Sequence, residues 1–225
     1  MKSPTKYSNR HVIYLHGFAS SPGSSKAQRF ARELARLGAG YSCPDLNLPS
    51  FETLTISRML EQTRDAIDAA GDARVALAGS SLGAFVALHA AAADRSGRVD
   101  RLILMAPALD FGGNRLRQLG EMGIEEWRRR GTLPFFHYGL NRPAEVGFAL
   151  YEDAACYDAH TVDMRWPALV YQGLQDDAVD PAMVTRWAAQ HPSVDLRVLD
   201  DDHQLTASID LIWQGSARFL GLIEA

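Results

Sequence analysis

Short runs of apolar residues recur along the chain with no polar position between them: VIYL at 12–15, VALA at 75–78, LILMA at 102–106 and ALVY at 168–171, the last within a strand candidate that ends at Gln172. A run of four or five such residues is too short for a buried helix. It fits a strand covered on both faces. Two weaker strand signals complete the set, YSC at 41–43, closed by Pro44 and Asp45, and LRVL at 196–199. The intervening segments carry a period near 3.6. Ala27, Phe30, Ala31 and Leu34 form one stripe, which Gly38 is placed to stop. Ile56, Met59, Leu60, Thr63 and Ile67 form another, ending near Gly71. Residues 81–94 are alanine-rich and helical, with Gly97 just beyond. Asp180 and Pro181 read as N-cap and first residue of a helix carrying Val184, Trp187 and Ala188, and residues 209–223 form a last amphipathic helix. Apolar strands alternating with helices predict an α/β fold, a mostly parallel sheet of about six strands with helices on both faces. Its 225 residues suit one domain spanning 1–225.

The alternation breaks at residues 111–142, which show no clean period, hold Gly112, Gly113, Gly120, Gly123, Gly131 and Gly139, and scatter aromatics among them. An irregular stretch of this length between two strands reads as a lid-like insertion over a functional edge. Trp127, Phe135, Phe136 and Tyr138 either wall an apolar pocket or pack the insertion onto the body.

Composition narrows the partners. The formal net charge is −4, with no basic excess to neutralise a nucleic-acid backbone, and the one basic cluster, Arg128, Arg129 and Arg130, reads as a solvated helix face. Two cysteines, Cys43 and Cys156, lie outside any metal-type spacing and read as buried thiols in a reducing compartment. No apolar run reaches the roughly 20 residues of a membrane span, and residues 1–10 are polar. These features point to a cytoplasmic protein with neither nucleic-acid partner nor membrane span; a small-molecule substrate and a monomer or homodimer are expected as well, though composition decides neither.

The chemistry is concentrated in GSSLG, where Gly79, Ser80, Ser81, Leu82 and Gly83 join the third strand to the alanine-rich helix. This is G-x-S-x-G in strand–turn–helix context, a turn that exposes the central serine hydroxyl above a sheet. A serine hydroxyl needs an imidazole to take its proton and a carboxylate to orient that imidazole. Groups that serve it belong at the carboxyl ends of the strands. Of the seven histidines, His203 alone sits in a loop after the last strand and downstream of a candidate acid. His16 reads as a residue that shapes the first loop, His89 as a packed helix histidine, and His11, His137, His160 and His191 as structural. Asp176, just after the strand at 168–172, is the preferred acid, with its neighbour Asp177 and Asp110, after the strand at 102–106, as alternatives. Asp180 is better used as a helix cap, and Asp200, Asp201 and Asp202 read as mostly solvated.

The glycine- and serine-rich loop after the first strand, HGFASSPGSSK, resembles a phosphate cradle but fails its spacing. Gly17 and Gly23 are separated by five residues, and Lys26 comes three places after Gly23. The better reading is half of an oxyanion hole, with Phe18 N–H and Leu82 N–H as the two donors, against a plain strand-to-helix turn. Residues 20–25 then cap the next helix. No metal or cofactor motif is present, so no cofactor is expected.

Taken in order, HGF, GSSLGA, GLQDDAVDP and DDDHQL resemble the α/β-hydrolase superfamily across nearly the whole chain. YLHGFASSPGSSKA is similar to the small bacterial serine esterases of the YqiA/YcfP type, and GSSLGAFVALHAA to mitochondrial acyl-protein thioesterases of that superfamily. The resemblance implies the eight-stranded pattern without its first two strands, a triad of Ser81, Asp176 and His203, and cofactor-free cleavage of esters or thioesters. Where such proteins begin the acid turn with histidine, this chain has Gln172. The insertion matches no motif, so the substrate does not carry over. A non-catalytic ligand-binding protein and a peptidase or carbon–carbon hydrolase on the same triad are the rival expectations.

Overall fold

The computed structural model describes residues 9–111 and 119–224. Its centre is a six-stranded sheet in the order β2-β1-β3-β4-β7-β8, with every neighbouring pair parallel. The strands are β1 (Arg10–Leu15), β2 (Gly40–Ser42), β3 (Arg74–Ser80), β4 (Val99–Met105), β7 (Ala168–Gly173) and β8 (Val194–Leu199). Each lies where the apolar runs place one, with ends shifted by up to three residues. The helices between them are α1 (Ser25–Leu37), α2 (Ile56–Ala69), α3 (Leu82–Ala93), α6 (Pro181–Ala189) and α7 (Ile209–Phe219). The last helix stops four residues short of the expected 223.

Alternate residues of each strand feed two cores. Ile13, Leu15, Val75, Leu77, Leu102, Leu104 and Val170 pack with α2, α3 and α6 on one face. Val12, Tyr14, Ala76, Ala78, Ile103, Met105 and Tyr171 pack with α1 and α7 on the other. Because both faces are covered, β1, β3, β4 and β7 have no polar alternation in sequence. β8 is one of the two edge strands, only partly covered, and its alternation of apolar and polar residues follows from that.

Strand order reverses at β1, whose chain continues to β2 on one side and to β3 on the other. The loops leaving β1 and β3 therefore part in opposite directions and leave a crevice at the carboxyl edge.

The insertion differs from its sequence expectation. Residues 112–118 lie outside the described part. The remainder is ordered as α4 (Gly120–Arg130), an antiparallel hairpin of β5 (Thr132–His137) and β6 (Arg142–Gly147), α5 (Ala149–Ala154) and a 3-10 turn at Ala159–Thr161. The hairpin is a second sheet, so the described residues hold eight strands, and the inserted structure runs past 142. Pro134 and Pro143 within the hairpin strands, and Gly120 and Gly123 in the short helix, hide these elements from a periodicity reading. Trp127 settles how the insertion is held. It is fully buried, donates its indole N–H to the Val146 carbonyl at 2.8 Å, and packs against Phe135, Phe148 and Tyr151. The Arg128 and Arg129 guanidiniums pair with Glu125 and Glu126 in solvent, as expected of a solvated face. The cysteines do not match expectation, since Cys156 is exposed and Cys43 only half-buried.

Among the described glycines the tightest surroundings are those of Gly83, where any side-chain carbon would overlap the Leu15 and His16 carbonyls of the β1 end. A Gly83→Ala variant is expected to lose more than about 2 kcal/mol in chemical denaturation, or to fail to fold. An unchanged denaturation midpoint would contradict this packing.

Candidate active site

Ser81 occupies the single residue between β3 and α3 and has φ 53° and ψ −116°, a left-handed conformation that costs a non-glycine residue about 1–3 kcal/mol. The surroundings enforce it. The Ser81 N–H donates to the Met105 carbonyl at 2.9 Å, and its carbonyl accepts from the N–H groups of Ala84, Phe85 and Ala108. Gly79 and Gly83 flank it because α3 lies directly on the ends of β3 and β1, where a Cβ at either glycine would strike backbone. The turn thus lifts the hydroxyl out of the sheet.

That hydroxyl lies 3.1 Å from His203 Nε2. On the other side of the ring, Nδ1 lies 2.9 and 3.0 Å from the two Asp176 oxygens. A carboxylate only accepts, so the neutral ring carries its proton on Nδ1 and turns the Nε2 lone pair to the serine. Asp176 Oδ1 also accepts from the Ala178 and Val179 N–H groups at 2.9 and 2.8 Å, and Oδ2 from Gln172 Nε2 at 2.8 Å. Burial alone would raise the pKa of this fully covered carboxyl. The hydrogen bond and charge of His203, with the Val179 N–H and Gln172, outweigh burial and hold it below the usual range. Of the three candidate acids, Asp176 is the one that His203 reaches; Asp177 lines the adjoining cleft. Gln172 is the residue whose role sequence reasoning missed. It ends a buried strand and is a donor to the acid.

The loop after β1 is held by His16, which is buried. Its Nε2 accepts from the Leu46 N–H at 3.0 Å, so its proton sits on Nδ1, 3.0 Å from the Gly17 carbonyl. Burial keeps its pKa below the ordinary histidine value, against the opposing pull of the Gly17 carbonyl and Asp45. The Ser20 N–H also donates to the Gly17 carbonyl. In a trans peptide the N–H points opposite to the carbonyl, so tying the Gly17 oxygen sets the direction of the Phe18 N–H. Gly17 itself lies against Ser80 and Ser81. Leu82 opens α3, and its N–H has no carbonyl one turn earlier on that helix to accept it.

Other expectations are corrected. Ser24 stands at the N-cap of α1 but makes no side-chain cap bond, and the Ser21 hydroxyl accepts from the Gly23 N–H instead. Asp201 is buried rather than solvated, accepting from the Asp202 and Ser208 N–H groups at 2.8 Å each. Asp180 caps α6 as expected, accepting from the Ala182 N–H. His89 packs between Phe85 and Tyr157, and Phe85 is core.

A cleft of about 200 Å³ opens beside Ser81 and His203, lined by Phe18, Ser20, Ser24, Lys26, Tyr138 and Ala178 among others. Tyr138 is the insertion aromatic that reaches it. Its N–H donates to the Ala19 carbonyl at 2.8 Å, docking the hairpin on the loop after β1. A larger cavity of about 450 Å³ lies elsewhere, between the ends of α2 and α3, and contains none of these groups.

A family model described as uncharacterised protein family UPF0227 matches residues 11–217. The chain belongs to the UPF0227 family. This UPF0227 member is 24% identical over 211 residues to the bovine (Bos taurus) mitochondrial palmitoyl-protein thioesterase ABHD10, a match covering 89% of this chain and 69% of the relative. A proposed hydrolase from Agrobacterium vitis S4 superposes with a TM-score of 0.83 at 26% identity, over 97% of this chain and 90% of the other. The mouse alpha/beta hydrolase domain-containing protein 10 superposes with a TM-score of 0.75 at 22% identity, over 95% and 90%. The fold of this UPF0227 chain is that of the α/β hydrolases.

The lowered Asp176 pKa carries a sign. A carboxylate held below its unfolded pKa contributes stability that is complete above about pH 4–5 and is lost as pH falls through the folded value. The stability gap between wild type and Asp176→Asn is therefore expected to be widest near neutrality and to narrow below about pH 4. A gap independent of pH in urea titrations would contradict the bonding described.

Proposed function

We propose that this protein is a serine hydrolase that cleaves carboxylic esters or thioesters through an acyl-enzyme. The observation that carries the reading is one continuous relay: a strained serine 3.1 Å from an imidazole whose other nitrogen lies 2.9 Å from a buried carboxylate. The bovine relative is a palmitoyl-protein thioesterase, and that name supports acyl transfer as the chemistry here.

In this mechanism Ser81 Oγ attacks the acyl carbon while His203 Nε2 takes its proton. Asp176 keeps the imidazole in the needed tautomer and stabilises its cation. Negative charge on the carbonyl oxygen is met by the Phe18 and Leu82 N–H groups. The tetrahedral intermediate collapses, the C–O or C–S bond breaks, and His203 delivers its proton to the leaving alcohol or thiol. Water then attacks the acyl-enzyme with His203 again as base, and collapse releases the carboxylic acid and restores Ser81. The insertion contributes through Tyr138 at the cleft edge, whereas Trp127 and Phe135 are packing residues.

Fluorophosphonate labelling of the pure protein tests this directly. Wild type is expected to label on Ser81, while Ser81→Ala does not label and loses turnover by about 10⁴–10⁶-fold with its fold intact. His203→Ala is expected to label far more slowly. A folded wild type that fails to label would overturn the reading in favour of a non-catalytic binding protein.

A further inference from the structure

Lys26 is in the wrong place for an ordinary surface lysine. It lies in the first turn of α1, where a cation opposes the helix dipole, and it is 93% buried. A lysine so placed costs stability unless it serves another group. Its ammonium donates to the Gln204 carbonyl, the residue that follows His203, and it lines the cleft with Ser81 and His203.

His203 and Gln204 are the two central residues of a tight turn closed by the Leu205 N–H on the Asp202 carbonyl. The turn is not self-sufficient. Leu205 has φ 53°, a conformation unfavourable for leucine. The Gln204 backbone is clamped on both sides, its N–H by Asp202 Oδ1 at 2.8 Å and its carbonyl by Lys26. The turn also sits among carboxylates. Asp202 opens the turn and Asp201 immediately precedes it, Asp176 and Asp177 come from the loop after β7, and β1 contributes the buried Tyr14 and β3 Ser80. On α1, Arg29 is taken up by Glu33 and Asp210.

We propose that Lys26 is a positioning residue for the base: it fixes the turn that carries the His203 imidazole and balances the carboxylates crowded around it. The proposal rests on the hydrolase reading above. Burial brings the Lys26 pKa down from the ordinary lysine range to about 8, against the opposing pull of Asp201, Asp202 and Asp176. Below that pH the clamp is charge-assisted, and above it the bond is an ordinary and weaker one.

The test compares wild type, Lys26→Met and Lys26→Arg with a short-chain nitrophenyl ester. Lys26→Met is expected to lower kcat by about 10- to 100-fold with KM within about twofold, because misplacing a catalytic group costs rate rather than binding. Wild-type kcat/KM is expected to step down several-fold around pH 8, a step absent from Lys26→Met and also from Lys26→Arg, whose guanidinium keeps its proton across this range and restores part of the rate. Because a lysine with lowered pKa opposes folding below about pH 8 and that cost is relieved as pH rises toward about 10, Lys26→Met is expected to keep its melting temperature. Wild-type rates in Lys26→Met, or a lowered rate with a lowered melting temperature and an unchanged pH profile, would overturn the proposal while leaving the hydrolase reading standing. A wild type with neither labelling nor turnover would overturn both.

Discussion

The left-handed conformation of Ser81 is the constraint on which the rest of the site depends. One non-glycine residue at φ 53° joins the central strand to its helix with no loop between them. That junction exists only because α3 can lie directly on the ends of β1 and β3, which in turn requires no side chain at Gly79 and Gly83. The strain is local and the compensation is distributed. Three backbone N–H groups bind the Ser81 carbonyl, the Met105 carbonyl binds its N–H, and the apolar surface of α3 is buried almost throughout. A turn of this kind cannot relax without lifting the helix off the sheet, so the hydroxyl keeps one position relative to the strand ends.

The groups that face Ser81 arrive from separate strand ends, β1, β7 and β8, and each is fixed by its own backbone bonds. The acid shows why such fixing matters. A carboxylate fully removed from water would protonate if left alone. Two loop N–H groups, Gln172 and the imidazole keep it charged. Gln172 therefore belongs to the site through its hydrogen bond to Asp176. The same crowding of carboxylates recurs around the His203 turn, and Lys26 is the cation that answers it from α1. Two helices on opposite faces of the sheet, α3 and α1, thus meet across one cleft.

The insertion is tied to this arrangement by packing rather than by covering it with an apolar wall. Trp127 and Phe135 join α4 and the hairpin into one aromatic cluster, and Phe135 meets Phe18 edge-on at 5.3 Å between ring centroids. Phe18 also contacts Phe51 and Phe111. The residue assigned an oxyanion N–H is in this way the point where the insertion, the core and the loop after β1 meet. Tyr138 alone of the four insertion aromatics lines the cleft, while Phe136 is half-exposed and packs on Tyr138.

The sequence by itself determined the sheet, because strands buried on both faces must be apolar throughout and therefore stand out against helical periods. It also pointed to Ser81 as the candidate nucleophile, through a G-x-S-x-G turn between such a strand and a helix, and to His203 with Asp176 as preferred acid, since the topology sends both of their loops to the same edge. What it left undecided depends on contacts between residues distant along the chain. Asp176 is preferred from its place at the strand end, but Asp177 and Asp110 stay open until the third dimension brings Asp176 to Nδ1. The hairpin was illegible because its prolines break the strand pattern and its burial comes from Trp127 and from docking on Ala19. The cysteines and Asp201 were misjudged because residue type gives average burial, whereas a particular neighbour decides the individual case. Lys26, three places too late to be a phosphate ligand, is the clearest example: its partner is the Gln204 carbonyl, 178 residues away, and a backbone carbonyl leaves no mark in an amino-acid sequence.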